Sequence, residues 1–153
     1  MELIELPDAA AVAERVAAQL LQARRRQPHR PLGLATGRTM EPIYAAMARL
    51  LPLLSAAEQE RLRGGWLSFN LDEYVGVGPE DPRSFHATMA RQLVGPLGLA
   101  PQQVCLPDGL AVDPEAEARR YAAAVAAAGG IGLQVDRKNT RLNSSHTVIS
   151  YAV

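Results

Sequence analysis

The sequence predicts an α/β fold built on a mostly parallel sheet with helices on both faces, and three observations predict it. Short apolar runs alternate with amphipathic helical segments along the chain, the order that βαβ units produce. The run "PLGLAT", residues 31–36, is apolar almost throughout, as a strand is when both of its faces are covered. Helix start and stop signals sit between the runs. At 153 residues the chain buries one core, so one domain is the default.

The elements follow in order. "MELIEL" reads as a first strand, and Asp8 caps a helix with Val12, Val16 and Leu20 on its apolar face. "PLGLAT" is the next strand; the turn "TGRTMEP" leads to a helix with Ile43, Met47, Leu50 and Leu51 along one side. Ser55 and Glu58 have capping-box spacing, so a short helix runs through "AAEQERLR" to Gly64 and Gly65. "WLSFNL" is a strand followed by an acidic loop. "SFHATMARQL" places Phe85, Met89 and Leu93 on one helical face, and "QVCLP" is a further short strand. Asp113 and Pro114 open a helix as N-cap and first residue, with Ala118, Tyr121, Ala122 and Val125 inward. Gly129 and Gly130 end it, and "IGLQV" begins one more strand. Ligands of such sheets bind beyond the carboxyl ends of the strands, where "ATGRT" and "NLDEY" both fall.

Lysine plus arginine equals aspartate plus glutamate at 16 each. No net field draws in nucleic acid or an anionic membrane, and neither is expected as a partner. Arg24, Arg25 and Arg26 end a helical pattern, where cations suit the helix dipole and solvent. Cys105 is the single cysteine, so neither a disulfide framework nor a thiolate metal cluster can form within one chain. The N-terminus lacks a basic leader region, and no stretch approaches the roughly 20 apolar residues that span a bilayer. A cytoplasmic protein is expected.

Two stretches carry chemistry. In "LGLATGRTMEP", Gly37 permits positive φ and close backbone approach, and Thr36 and Thr39 offer hydroxyls. The following helix directs amides at an anion, and Arg38 adds a fork of donors. The loop is either a phosphate cradle or a tight turn capped by Thr36 or Thr39. In "NLDEY", Asp72 falls at the carboxyl edge of the sheet, where a carboxylate over apolar walls serves as a general base; alternatively it caps a turn and Glu73 faces water. His86 reads as a packed surface residue rather than a partner of the acids, His29 and His146 receive no role, and no ligand cluster has metal spacing.

Taken together, "LGLATGRT", "FNLDEYVGVGPEDPRSFHATM" and "DGLAVDPEAEARRYAAAVAAAGGIGLQV" resemble the glucosamine-6-phosphate deaminase family over residues 1–135. The resemblance implies a truncated Rossmann-like fold. It also implies conversion of glucosamine 6-phosphate to fructose 6-phosphate and ammonia, with a sugar phosphate as partner and with neither metal nor organic cofactor. A homo-oligomer stays open for a full-length protein. On this resemblance Asp72 is the base that takes the proton from C2 and returns one at C1, Glu73 orients the loop and takes part in substrate binding, and Thr36, Gly37, Arg38 and Thr39 bind the phosphate. Arg38 stands where the family has a small residue and Met40 where it has proline. The related 6-phosphogluconolactonases show D-E-R where this chain has Asp72, Glu73 and Tyr74; a hydrolase of that type and a non-catalytic sugar-phosphate sensor are the alternatives.

Beyond residue 135 the composition shifts. "DRKNTRLNSSHTVISYAV" holds the only lysine, Lys138, and the asparagines Asn139 and Asn143, and lacks the family's G-H-I-A-F-N-E-P continuation. Residues 136–153 are expected to be a foreign or disordered tail, although "HTVISYAV" alternates as a strand does. The chain is accordingly expected to be an inactive N-terminal portion of the deaminase.

Overall fold

The structure, a computed structural model, describes residues 4–135 and the backbone of a strand at Val148–Ser150. The first helix, α1, spans Ala9–Arg26, and the Asp8 carboxylate accepts the Ala11 amide at 2.8 Å. Its buried face is Ala13, Ala17, Leu20, Leu21 and Arg24. This corrects the expected Val12/Val16/Leu20 stripe, since Val12 is 44% exposed. Small alanines let α1 lie close against the next helix, so they take the inward positions. No strand forms at residues 4–6, and Ile4 is 46% exposed, so the alternation there has no buried face to fill; the rest of "MELIEL" lies outside the described residues.

Strand β1 is Leu32–Leu34, and α2 spans Glu41–Leu50, burying Ile43, Tyr44, Ala46 and Met47. Helix α3, Ala56–Gly64, begins with the expected capping box: Ser55 and Glu58 each cap the other's amide. Strand β2 is Ser68–Asn70, and residues expected as loop form a further short strand, β3, at Asp72–Tyr74. Helix α4, Phe85–Met89, widens into a π-helical turn, Ala90–Val94, and ends in α5, Gly95–Leu97. Met89, Leu93 and Leu97 are buried along this stretch. Strand β4 is Val104–Cys105, α6 is Pro114–Ala127, and β5 is Leu133–Gln134.

Strands β4, β2, β1 and β5 form one parallel sheet in that order. Alternation splits the core across the sheet. Leu32, Leu34, Val104 and Leu106 pack with α1 and α2, whereas Phe69 packs with Tyr121 and Val125 of α6 on the other face. On α6, Ala122 is exposed and Ala124 packs instead, a second correction of the expected face. The last strand, β6 (Val148–Ser150), pairs antiparallel with β3, Asp72 opposite Ser150. The remainder of the expected tail, 136–147 and 151–153, lies outside the described residues.

Arg24, expected in solvent, is buried. Its guanidinium donates to the carbonyls of Arg30 and Gly65, and to that of Pro28 at 3.0 Å. It ties the end of α1 to the end of α3, where carbonyls otherwise lack donors; burial lowers its pKa.

A candidate active site at the carboxyl ends of β1 and β2

Adjacent strands deliver the two loops. Leu34 stands in register with Asn70, and the Leu71 amide donates to the Leu34 carbonyl at 3.1 Å, so both chains leave the sheet at the same level. After β1, Ala35 is buried, Thr36 half-buried, and Gly37, Arg38 and Thr39 exposed. Gly37 has φ 134°, a backbone that only glycine adopts without strain. The Met40 amide donates to the Gly37 carbonyl at 2.8 Å, and Met40 is the N-cap of α2 with no side-chain cap. The threonines therefore do not cap the helix: its first amides and their partial positive charge face the loop, with Pro42 contributing no N–H. Met40 itself is buried in the core. Thr36, Gly37, Arg38 and Thr39 thus lie together on one turn.

After β2, Asp72 and Glu73 diverge as neighbours on a strand do. Asp72 is half-buried, and burial, with the charge of Glu73 second, pushes its pKa up to about 6. A carboxyl poised there exchanges a proton near neutral pH. Glu73 is fully buried. Its Oε1 accepts the amides of Tyr74 and Phe85 at 2.9 Å each, and its Oε2 accepts the His86 amide at 3.0 Å. The His86 Nδ1 lies 3.1 Å from the same Oε2. Burial raises the Glu73 pKa, but these hydrogen bonds outweigh it and hold the carboxyl below its ordinary value. Glu73 therefore does not face water: with Ser84, whose hydroxyl accepts the Ala87 amide at 2.9 Å, it closes the N-terminus of α4. His86, expected as a packed surface residue, is the partner of Glu73.

Three further residues brace this edge of the sheet. Gly109 donates no side chain where none fits: a Cβ there would stand 2.3 Å from the Val77 carbonyl oxygen and 2.4 Å from that of Tyr74. The buried Glu117 accepts the Asp108 amide at 2.8 Å and pairs with Arg120 at 2.6 Å, and the Arg120 pairing, overcoming burial, lowers its pKa. The "DG" dipeptide signals a turn but not what it approaches. Tyr121 places its hydroxyl 2.9 Å from the carbonyls of both Asn70 and Cys105, bridging the ends of β2 and β4. Among the described residues no group of three or more His, Cys, Asp or Glu is placed to hold a metal, and no helix is long and apolar enough to cross a membrane.

These features define a parallel α/β domain with a basic turn and a raised carboxyl at one sheet edge. The chain is similar to glucosamine-6-phosphate deaminases: it is 39% identical to that of Streptomyces avermitilis over 135 residues, 88% of this chain and 50% of the relative. It is 36% identical to the glucosamine-6-phosphate deaminase of Streptomyces coelicolor and 36% identical to that of Rhodopirellula baltica, again over 88% of this chain. The chain spans about half the length of the curated relatives it matches. In structure it resembles a monomeric glucosamine-6-phosphate deaminase described as a missing link of the NagB superfamily, with a TM-score of 0.74 at 29% identity, covering 88% of this chain and 54% of that one. A devB protein shares the fold alone, with a TM-score of 0.60 at 24% identity. No family model matches the chain.

Proposed function

We propose that these residues carry the proton-abstracting part of a glucosamine-6-phosphate deaminase. The observation that carries the reading is the juxtaposition of Asp72, its pKa raised to about 6, with the uncapped start of α2 one strand away. The amides of α2, the Thr36 and Thr39 hydroxyls, and Arg38 would hold the phosphate. Asp72 would take the C2 proton of the opened sugar and return it at C1, leaving an imine at C2 that water hydrolyses to the C2 ketone with release of ammonia. Glu73 would touch no substrate, its carboxylate being occupied by α4. Tyr74 supports the deaminase over a lactonase on the resemblance stated above, the lactonases having arginine there; its ring packs on Phe85 at 4.5 Å between centroids. A substrate bearing a phosphate does not cross membranes unaided, which suits the cytoplasm.

The ring-opening groups lie outside this stretch on the resemblance stated above, so the 153-residue chain alone should release no ammonia. The test is a chimera in which residues 1–135 replace the matching stretch of the S. avermitilis enzyme. Ammonia release from glucosamine 6-phosphate, abolished by Asp72→Asn, supports the reading; a folded chimera whose turnover survives Asp72→Asn refutes it.

A further inference from the structure

Why does a half-exposed histidine share the carboxylate that already caps a helix? A carboxylate has about four acceptor sites. In Glu73 three go to backbone amides, and the fourth goes to the His86 ring, whose side chain is 34% exposed against 1% for Glu73. For Nδ1 to donate, the ring must carry its proton there, leaving Nε2 outward. Asp72 and Glu73 are consecutive on β3 and point to opposite faces of it, so whatever fixes Glu73 fixes the direction of Asp72.

We propose that His86 is a positioning residue for Asp72, acting through Glu73: its Nδ1 locks the Glu73 carboxylate onto the start of α4 and thereby holds the Asp72 carboxyl at the sheet edge. The consequence for the reaction rests on the reading of Asp72 as the base. The logic is that of catalytic bases oriented by a third group. Glu73 faces His86; around the ring, Glu80 from the preceding loop and Arg91 from the π-helical turn line one hollow, and Arg120 from α6 and Cys105 from β4 line another. Both causes of the raised Asp72 pKa, burial and the nearby Glu73 charge, weaken when β3 loosens, so losing the lock moves Asp72 one way, downward.

The experiment follows the Asp72 carboxyl carbon by NMR across pH in the 153-residue chain, labelled at aspartate and assigned with Asp72→Asn. In His86→Leu the Asp72 midpoint should fall by about half a pH unit or more. In His86→Asn, whose side-chain N–H occupies the place of Nδ1, it should stay with the parent. Should His86→Leu not fold, His86→Gln replaces it, because its amide reaches the place of Nε2 and not of Nδ1. An Asp72 midpoint unchanged in the Leu or Gln variant, or equally lowered in the Asn variant, overturns the proposal. Because no turnover is measured, this failure is distinct from failure of the deaminase reading, which the chimera decides.

Discussion

The carboxylate of Glu73 accepts the backbone N–H of Phe85 at 2.9 Å across 12 residues of chain, so the strand that carries Asp72 and the helix that follows it are one unit. Removing the acceptor leaves buried amides unpaired. Glu73→Ala should cost about 2–4 kcal/mol, and Glu73→Gln, which keeps one acceptor oxygen, less. The Glu73 pKa is depressed in the folded chain, so its contribution is present above the unfolded value near 4.5 and lost as pH falls through the folded one. Urea midpoints for the parent and both variants at pH 7 and at acid pH check the order and the convergence.

Asp72 works the other way. Its folded pKa, about 6 against an ordinary 3.8, means that its protonated form is the one the fold favours; that stability is full below 3.8 and lost as pH rises through about 6. Asp72→Asn keeps the shape and removes the charge. The variant should match the parent at low pH and exceed it at pH 8 by on the order of 1 kcal/mol, the half-exposed site being partly screened. Equal stability at both ends would show that Asp72 is not held against the fold. If Asp72 is the proposed base, this is the usual trade of stability for function.

Gly109 and Gly129 separate close approach from backbone conformation. Gly109→Ala drives a Cβ into two carbonyl oxygens of the Asp72 loop, 2.3 and 2.4 Å away, and neither is the end of a flexible side chain. The loop must move, and a loss of 2 kcal/mol or more, roughly that of an overpacked core, is expected. At Gly129, φ is +87° with open space around it, so Gly129→Ala should cost about 1 kcal/mol. Thermal midpoints rank them; if Gly129→Ala is the worse, the Gly109 contact is not as described.

What could be read in advance was local. The Ser55–Glu58 capping box and the Asp113–Pro114 start are fixed by neighbours within one turn. The strand at Leu32–Leu34 follows from continuous apolarity, and that at Ser68–Asn70 from the apolar Trp66, Leu67, Phe69 and Leu71 in and around it. Helix faces were harder, because alanine offers little contrast: Val12 looked inward and Ala13 is, Ala122 looked inward and Ala124 packs. The partners of Glu73 and Arg24 depend on the path of intervening chain, and no spacing rule encodes a bond from Arg24 to Gly65, 41 residues on. The position of Asp72 just past β2 was legible because a strand end is a local feature, whereas its strand pairing with Val148–Ser150 is not.

The turn after β1 gives the last prediction. No side chain caps α2, and Thr39 and Arg38 are exposed beside its first amides, so an anion can take the place a cap would have. If the proposed phosphate site is here, adding fructose 6-phosphate to the 153-residue chain should shift the amide NMR signals of Gly37, Arg38 and Thr39, and fructose should not. Thr39→Val removes a donor and should weaken the sugar phosphate by on the order of tenfold, about 1 kcal/mol, with no effect for the plain sugar. Arg38 is exposed, and on the proposed reading it is expected to strengthen binding instead of obstructing it. Arg38→Ala should weaken the phosphate a few-fold at low salt, and the difference should shrink at 0.5 M salt, where exposed charges are largely screened at the roughly 4–5 Å Debye length. Tighter binding by Arg38→Ala would show that the arginine blocks the turn, and equal loss for both sugars in Thr39→Val would make the turn structural.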